Sequence, residues 1–228
     1  MSTYELFYFP SPGLADLQRM MLDVSGASYT NTFVDFSKWP EVKPTMAFGV
    51  VPKLTIHEAD GTRKELFESA AIDAYLAEVL DFFPGSSNSP FDRAEALSVR
   101  SALCELEEKI RPSLWLPDLD ARKAGHATYL AETVPKFLKY QECFVRGDWY
   151  FGDKMTIADL KLYQLYVWYD TMYTDQNPFK VHVSEYPKLN KIIAALDKGK
   201  AGDYVRNRRD FGKLPWVAEE WKFVPKFM

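Results

Sequence analysis

The stretch Tyr4-Glu5-Leu6-Phe7-Tyr8-Phe9-Pro10-Ser11-Pro12-Gly13 sets a short, aromatic, nearly all-apolar run directly against two prolines and a glycine. Such a run reads as a strand buried on both faces of a sheet, and the Pro/Gly cluster stops it. Leu14, Leu17, Met21 and Val24 then recur at helical spacing, and Gly26 stands where a helix-ending glycine belongs. Tyr29 to Val34, rich in Thr, Tyr and Phe, reads as a second strand and closes a β-α-β unit. Val51-Pro52-Lys53-Leu54-Thr55-Ile56 and Lys64-Glu65-Leu66-Phe67 are two more strand-like pieces, joined through Asp60-Gly61, a strong hairpin signal. In the helix that follows, Ile72, Tyr75, Leu76, Val79 and Leu80 form one apolar stripe.

The order β-α-β, then β-β-α, is that of a thioredoxin-like domain. Phe83-Pro84-Gly85-Ser86-Ser87-Asn88-Ser89-Pro90 has the composition of a linker. Beyond it strand signals fade, while Leu103, Leu106 and Ile110, then Leu130, Val134, Phe137 and Leu138, suit long helices. The expected fold class is therefore an α/β thioredoxin-like N-terminal domain over residues 1–82 and an all-α C-terminal domain over 91–228. Within the latter, Thr156 at an N-cap and Asp159 three residues on form a capping box, with Met155 and Leu160 placed for a hydrophobic staple. Its loss should cost about 1 kcal/mol or more.

The 228 residues carry a formal charge of −4, which gives no electrostatic footprint for nucleic acid or an anionic membrane. Arg206, Arg208 and Arg209 form a small basic cluster, read as solvated surface. No apolar run approaches the roughly 20 residues of a membrane span, and the N-terminus lacks a basic, cleavable leader pattern, so a cytoplasmic location is expected. Cys104 and Cys143 make neither a CxxC nor a metal-ligand spacing and read as core thiols. His57, His126 and His182 are scattered, and no metal is expected.

A thioredoxin-like domain followed by a helical one is the glutathione transferase architecture, and several strings here resemble the sigma class of that family, the prostaglandin D synthase type. They are Tyr8-Phe9, Trp39-Pro40-Glu41-Val42-Lys43, Phe48-Gly49-Val50-Val51-Pro52, Glu68-Ser69-Ala70-Ala71-Ile72 with Tyr75-Leu76, and Gly152-Asp153-Lys154-Met155-Thr156-Ile157-Ala158-Asp159. The resemblance implies a cytoplasmic homodimer that takes glutathione as co-substrate and a small hydrophobic electrophile. It also implies a cis bond at Val51-Pro52 that turns the Val51 backbone toward the tripeptide's cysteinyl unit.

By the same resemblance Trp39 and Lys43 hold the glycyl carboxylate. Ser69 meets the γ-glutamyl carboxylate at a helix N-terminus, with a simple N-cap as its plain structural reading, and Glu68 pairs with the ammonium. Glu108 reaches the partner's ligand across the dimer; Phe9, Leu14, Trp115, Lys161 and Leu165 line the electrophile pocket. Tyr8 is the implied catalytic group: a phenol O–H donated to sulfur stabilises the thiolate, which is the nucleophile. Sigma-type enzymes carry arginines in the following loop where this chain has Pro12 and Leu14. Without a nearby cation, phenol and thiol lose electrostatic help. Ser11 is the alternative activator, because other transferase classes use a serine in this loop. Conjugation is thus weighed against glutathione-dependent isomerisation and against a non-enzymatic, crystallin-like binding role.

Overall fold

The computed structural model describes residues 2–85, 89–114, 116 and 118–208, without side chains at 111–114 and 119. Two compact units emerge: one contains the chain to Phe82 together with a late helix and Arg208, the other runs from Phe83 to Asp197.

In the first unit, β1 (Thr3–Tyr8), α1 (Asp16–Ser25) and β2 (Tyr29–Phe33) form the expected β-α-β unit, with Gly26 ending α1 at φ 77°. The short α2 (Trp39–Val42) precedes the hairpin of β3 (Lys53–His57) and β4 (Arg63–Phe67), and α3 (Ser69–Val79) closes the series. The sheet order is β2-β1-β3-β4, with β1 and β2 parallel and the other pairs antiparallel. Burial in β1 alternates instead of covering both faces: Tyr4, Leu6 and Tyr8 are buried, whereas Glu5 and Phe7 are half-buried. On α3 the core face is Ile72, Asp73, Leu76 and Ala77, and Val79 is exposed, so the expected stripe is displaced by part of a turn.

The second unit is helical among the described residues: α4 (Pro90–Leu114), α5 (Leu119–Thr128), α6 (Val134–Phe144), α7 (Ile157–Tyr173), α8 (Pro178–Val181) and α9 (Pro187–Lys198). A π-helical turn, Tyr129–Thr133, joins α5 to α6. Pro135 lies just beyond it; a proline lacks the N–H and crowds the carbonyl four residues back, so the widened turn accommodates it. The capping box at Thr156 forms: the Thr156 N–H and hydroxyl both donate to Asp159 Oδ2 at 2.8 Å. Neither cysteine is a core thiol, since Cys104 is half-buried and Cys143 exposed.

The helix α10 (Lys200–Asn207) departs from the expected division, because it packs on α1 in the first unit. The cause lies on α1, which buries not only Leu17, Met20 and Met21 but also Asp16, Gln18 and Arg19. Buried polar groups need partners. From α10, Tyr204 donates its hydroxyl to Asp16 Oδ1 at 2.7 Å, and Arg208 reaches both Asp16 oxygens at 2.7 and 2.6 Å. Arg208 is therefore an internal cation and not part of a solvated cluster; Arg206 is exposed beside Asp203, and Arg209 lies outside the described residues.

Candidate functional site

Strand register gathers the candidate residues at one end of the sheet. Phe7 pairs with Lys53, so Tyr8 ends β1 beside the start of β3, where Pro52 stands. Lys53 pairs with Phe67, so Glu68 and Ser69 leave β4 at that same end. Tyr8 also pairs with Phe33 of parallel β2, which leads toward Phe36 and Trp39. The Val51–Pro52 bond is cis, as expected, and both residues are buried.

The loop after β1 folds back over Tyr8. The Leu14 N–H donates to the Tyr8 hydroxyl at 3.2 Å. Gly13 is required here twice over: its φ is 46°, and a Cβ there would lie 2.5 Å from the Tyr8 hydroxyl oxygen. Phe9 stacks on Phe36 at 4.2 Å and meets Tyr8 and Trp39 edge-on at 5.4 and 5.3 Å, tying the loop to α2. Ser11 is buried in the loop, whereas Leu14 is exposed. Lys43 is exposed just after α2, and its Cε lies 3.4 Å from where a side chain at Gly49 would begin.

At the other flank, Ser69 is the first residue of α3, and the cap position belongs to Glu68, exposed and at φ 69°. A non-glycine residue in that region carries a local cost of order 1–3 kcal/mol and is found where surrounding structure or function demands it. The turn places the first N–H groups of α3, which have no intrahelical acceptors, at the sheet end, where the helix dipole favours an anion. Gln18 of α1 donates to the Ser69 carbonyl at 3.3 Å and fixes this helix start.

Sequence reasoning missed Arg19. It is fully buried: Nε donates to Asn31 Oδ1 at 2.9 Å, and the two terminal nitrogens reach the Ser11, Pro12 and Phe9 carbonyls at 2.8, 3.3 and 3.4 Å. Its guanidinium carbon lies 5.6 Å from the centre of the Tyr8 ring. Burial lowers its pKa from the ordinary arginine value, while Tyr204, Asp16 and Tyr8 act in the opposite sense. The loop without arginines thus rests on one. The only sequence signal was a charged residue on the helix face otherwise filled by Leu17, Met20 and Met21.

The remaining expected residues lie in the helical unit. Glu108 is exposed on α4. Leu165 is buried on α7, and Lys161, read as a pocket wall, is buried too, its ammonium donating to Glu107 and Gln164 at 2.8 Å each. Burial disfavours that charge, yet Glu107 raises the Lys161 pKa overall. The ammonium is thus held in an ion pair between α7 and α4. Trp115 lies outside the described residues. A cavity of about 280 Å³ in this unit involves other groups, among them His126, Leu130, Tyr173 and His182. There His126 Nδ1 meets the Tyr173 hydroxyl at 3.0 Å, and burial, with Arg122 nearby, lowers the imidazole pKa.

Residues 105–200 match the family described as glutathione S-transferase, C-terminal domain. The probable glutathione S-transferase 7 of Caenorhabditis elegans is 30% identical over 178 residues, 72% of this chain and 79% of the relative. The hematopoietic prostaglandin D synthase of Gallus gallus is 27% identical over 193 residues, covering 83% and 87%. Among solved structures, the Fasciola hepatica sigma class enzyme superposes with a TM-score of 0.74 over 91% of this chain and 97% of that one, at 21% identity, a likeness of fold. The chain belongs to the glutathione S-transferase family.

Proposed function

We propose that this protein conjugates the thiolate of glutathione to small hydrophobic electrophiles, with Tyr8 as the thiol-activating group. The observation that carries this reading is the convergence of Tyr8, the cis Val51–Pro52 junction and the N-terminus of α3 at one end of the sheet. Glutathione brings two carboxylates, an ammonium and two amides to such a surface. Trp39 and Lys43 suit the glycyl carboxylate, the Val51 backbone the cysteinyl unit, Ser69 and the α3 N–H groups the γ-glutamyl carboxylate, and Glu68 the ammonium. Phe9 and Leu14 border the thiol on the side where an apolar electrophile would approach. In this reading the working form is a two-fold dimer, the commonest oligomer, in which exposed Glu108 extends toward the other subunit's ligand.

Tyr8 is favoured over Ser11 because its hydroxyl is held in place by the loop it must serve. Replacing Tyr8 by Phe removes one hydrogen bond to a charged group, about 1.5–3 kcal/mol, or about a tenfold to hundredfold loss of rate at neutral pH. The loss should shrink at alkaline pH, while glutathione affinity changes little. pH–rate profiles of Tyr8→Phe and Ser11→Ala with one electrophile test this. An unimpaired Tyr8→Phe beside a crippled Ser11→Ala gives the role to the serine. Retention on immobilised glutathione without turnover across an electrophile panel favours a binding protein instead.

A further inference from the structure

Buried Arg19, Asp16 and Tyr204 and half-buried Arg208 form a group beneath the loop that follows Tyr8. Asp16 takes the Tyr204 hydroxyl and both ends of its contact with Arg208. Arg19 gives hydrogen bonds to the Asn31 amide oxygen and to three carbonyls of the loop itself. Tyr204 and Asp16, then Tyr8 on β1 and Tyr29 on β2, act on Arg19; among the described residues of this unit Asp73 on α3 is a further buried acid. A guanidinium stays charged even when buried, because its ordinary pKa lies far above neutrality. In a poorly hydrated interior its field reaches several ångströms with little screening.

We propose that Arg19 provides, from beneath the loop, the positive potential that keeps the glutathione thiol anionic, and that Asp16 and Arg208 set its strength. This rests on the reading that glutathione's sulfur lies at Tyr8. The S–H bond breaks with its electron pair left on sulfur, the proton passes to solvent, and Arg19 exchanges nothing; it is a positioning residue that also polarises the site. The chain carries its cation on the helix behind the loop, where Pro12 and Leu14 leave the loop itself uncharged. The arrangement also gives α10 a purpose at the reaction centre: it delivers Arg208 to Asp16 across 192 positions of sequence.

The test is ultraviolet titration of the enzyme-bound glutathione thiol in the full-length protein, alongside the pH dependence of kcat/KM. Arg19→Met should raise the thiol midpoint by about one and a half pH units, the size expected of a unit charge at roughly 8 Å in an effective dielectric of about 20. Arg19→Lys keeps the charge and loses the fork, so its midpoint should stay near that of the wild type even where it melts earlier. Arg208→Met leaves Asp16 to oppose Arg19 and should raise the midpoint. Asp16→Asn removes the opposing charge and should lower it. Damage to the fold cannot produce midpoint shifts of opposite sign in these two variants. Equal upward shifts in Arg19→Lys and Arg19→Met, or an upward shift in Asp16→Asn, would overturn the proposal and leave Arg19 a scaffold. Tyr8→Phe separates the two readings. An unchanged midpoint there removes Tyr8 as activator, whereas a raised midpoint beside an unmoved Arg19→Met removes Arg19 alone.

Discussion

Asp16, Arg19 and Arg208 in the first unit and Glu107, Lys161 and Asp159 in the second are both sets of buried or half-buried charge, but they are completed differently. In the helical unit each charge meets a partner on neighbouring helices or loops: Lys161 joins α7 to Glu107 of α4, and Asp159 takes N–H groups from Tyr150 and Thr156. Those bonds begin and end inside the core. Beneath the sheet end, Arg19 instead spends its donors on the carbonyls of a loop that borders the candidate site. Charge of the first kind holds helices in register, and charge of the second kind holds the loop beside Tyr8. Substitutions in the helical set should therefore register in stability, and those at the sheet end in the chemistry or affinity of the bound thiol.

The largest stability effect should come from Asp159→Ala. It leaves the Tyr150 and Thr156 N–H groups without their acceptor, at about 1–3 kcal/mol for each orphaned donor, so a loss of about 4 kcal/mol in denaturant unfolding at pH 7 is expected. Burial outweighs the hydrogen bonds the carboxylate accepts and lifts the Asp159 carboxyl to a pKa of about 6. An unfolded aspartate titrates near 4. Folding therefore takes up a proton between these values, and the group's stabilising contribution is complete below about pH 4 and falls as pH rises to about 6. The gap between wild type and Asp159→Ala should widen as pH is lowered from about 7 to about 4; a constant gap would mean that Asp159 titrates normally.

Lys161→Met is next. Removing one member of a buried pair strands the other, which costs about 3 kcal/mol, and Glu107→Gln in the same chain should restore most of it. The sharper contrast is with Arg19: the thiol midpoint should not move in Lys161→Met. A shift as large as that of Arg19→Met would erase the distinction between the two sets of charge.

Elements with local punctuation were readable in the sequence. Pro10-Ser11-Pro12-Gly13, Gly26 and Asp60-Gly61 mark the ends of β1 and α1 and the β3–β4 hairpin, and the structure follows them. Half of the Asp159 network was readable as well, because Thr156 and Asp159 are three residues apart; the Tyr150 N–H, nine residues away in an irregular segment, has no pattern to announce it. The Asp16–Arg208 contact was hidden for a stronger reason. An arginine beside other arginines near a chain's end reads as solvated, and nothing in α10 alone says that it packs on a helix lying 184 residues earlier, from Asp16 to Lys200. Arg19 went unread for a related reason, since a charge on an amphipathic helix is ordinarily its solvent face, and here the residue is fully buried against the β1–α1 loop and Asn31.

Ser69→Ala tests the gentlest edge of the comparison. Had Ser69 been the N-cap of α3, its loss would cost about 1 kcal/mol of stability. The cap position is Glu68, and Ser69 is the first helical residue, held through its carbonyl by Gln18, a contact that alanine retains. Thermal unfolding of Ser69→Ala should therefore stay close to that of wild type. Glutathione affinity should weaken by about tenfold, the equivalent of one hydrogen bond from a hydroxyl to a carboxylate. Calorimetric titration beside a melting curve separates the two effects. A variant that binds normally and melts early would return Ser69 to a structural role and leave the γ-glutamyl carboxylate to the backbone N–H groups of α3 alone.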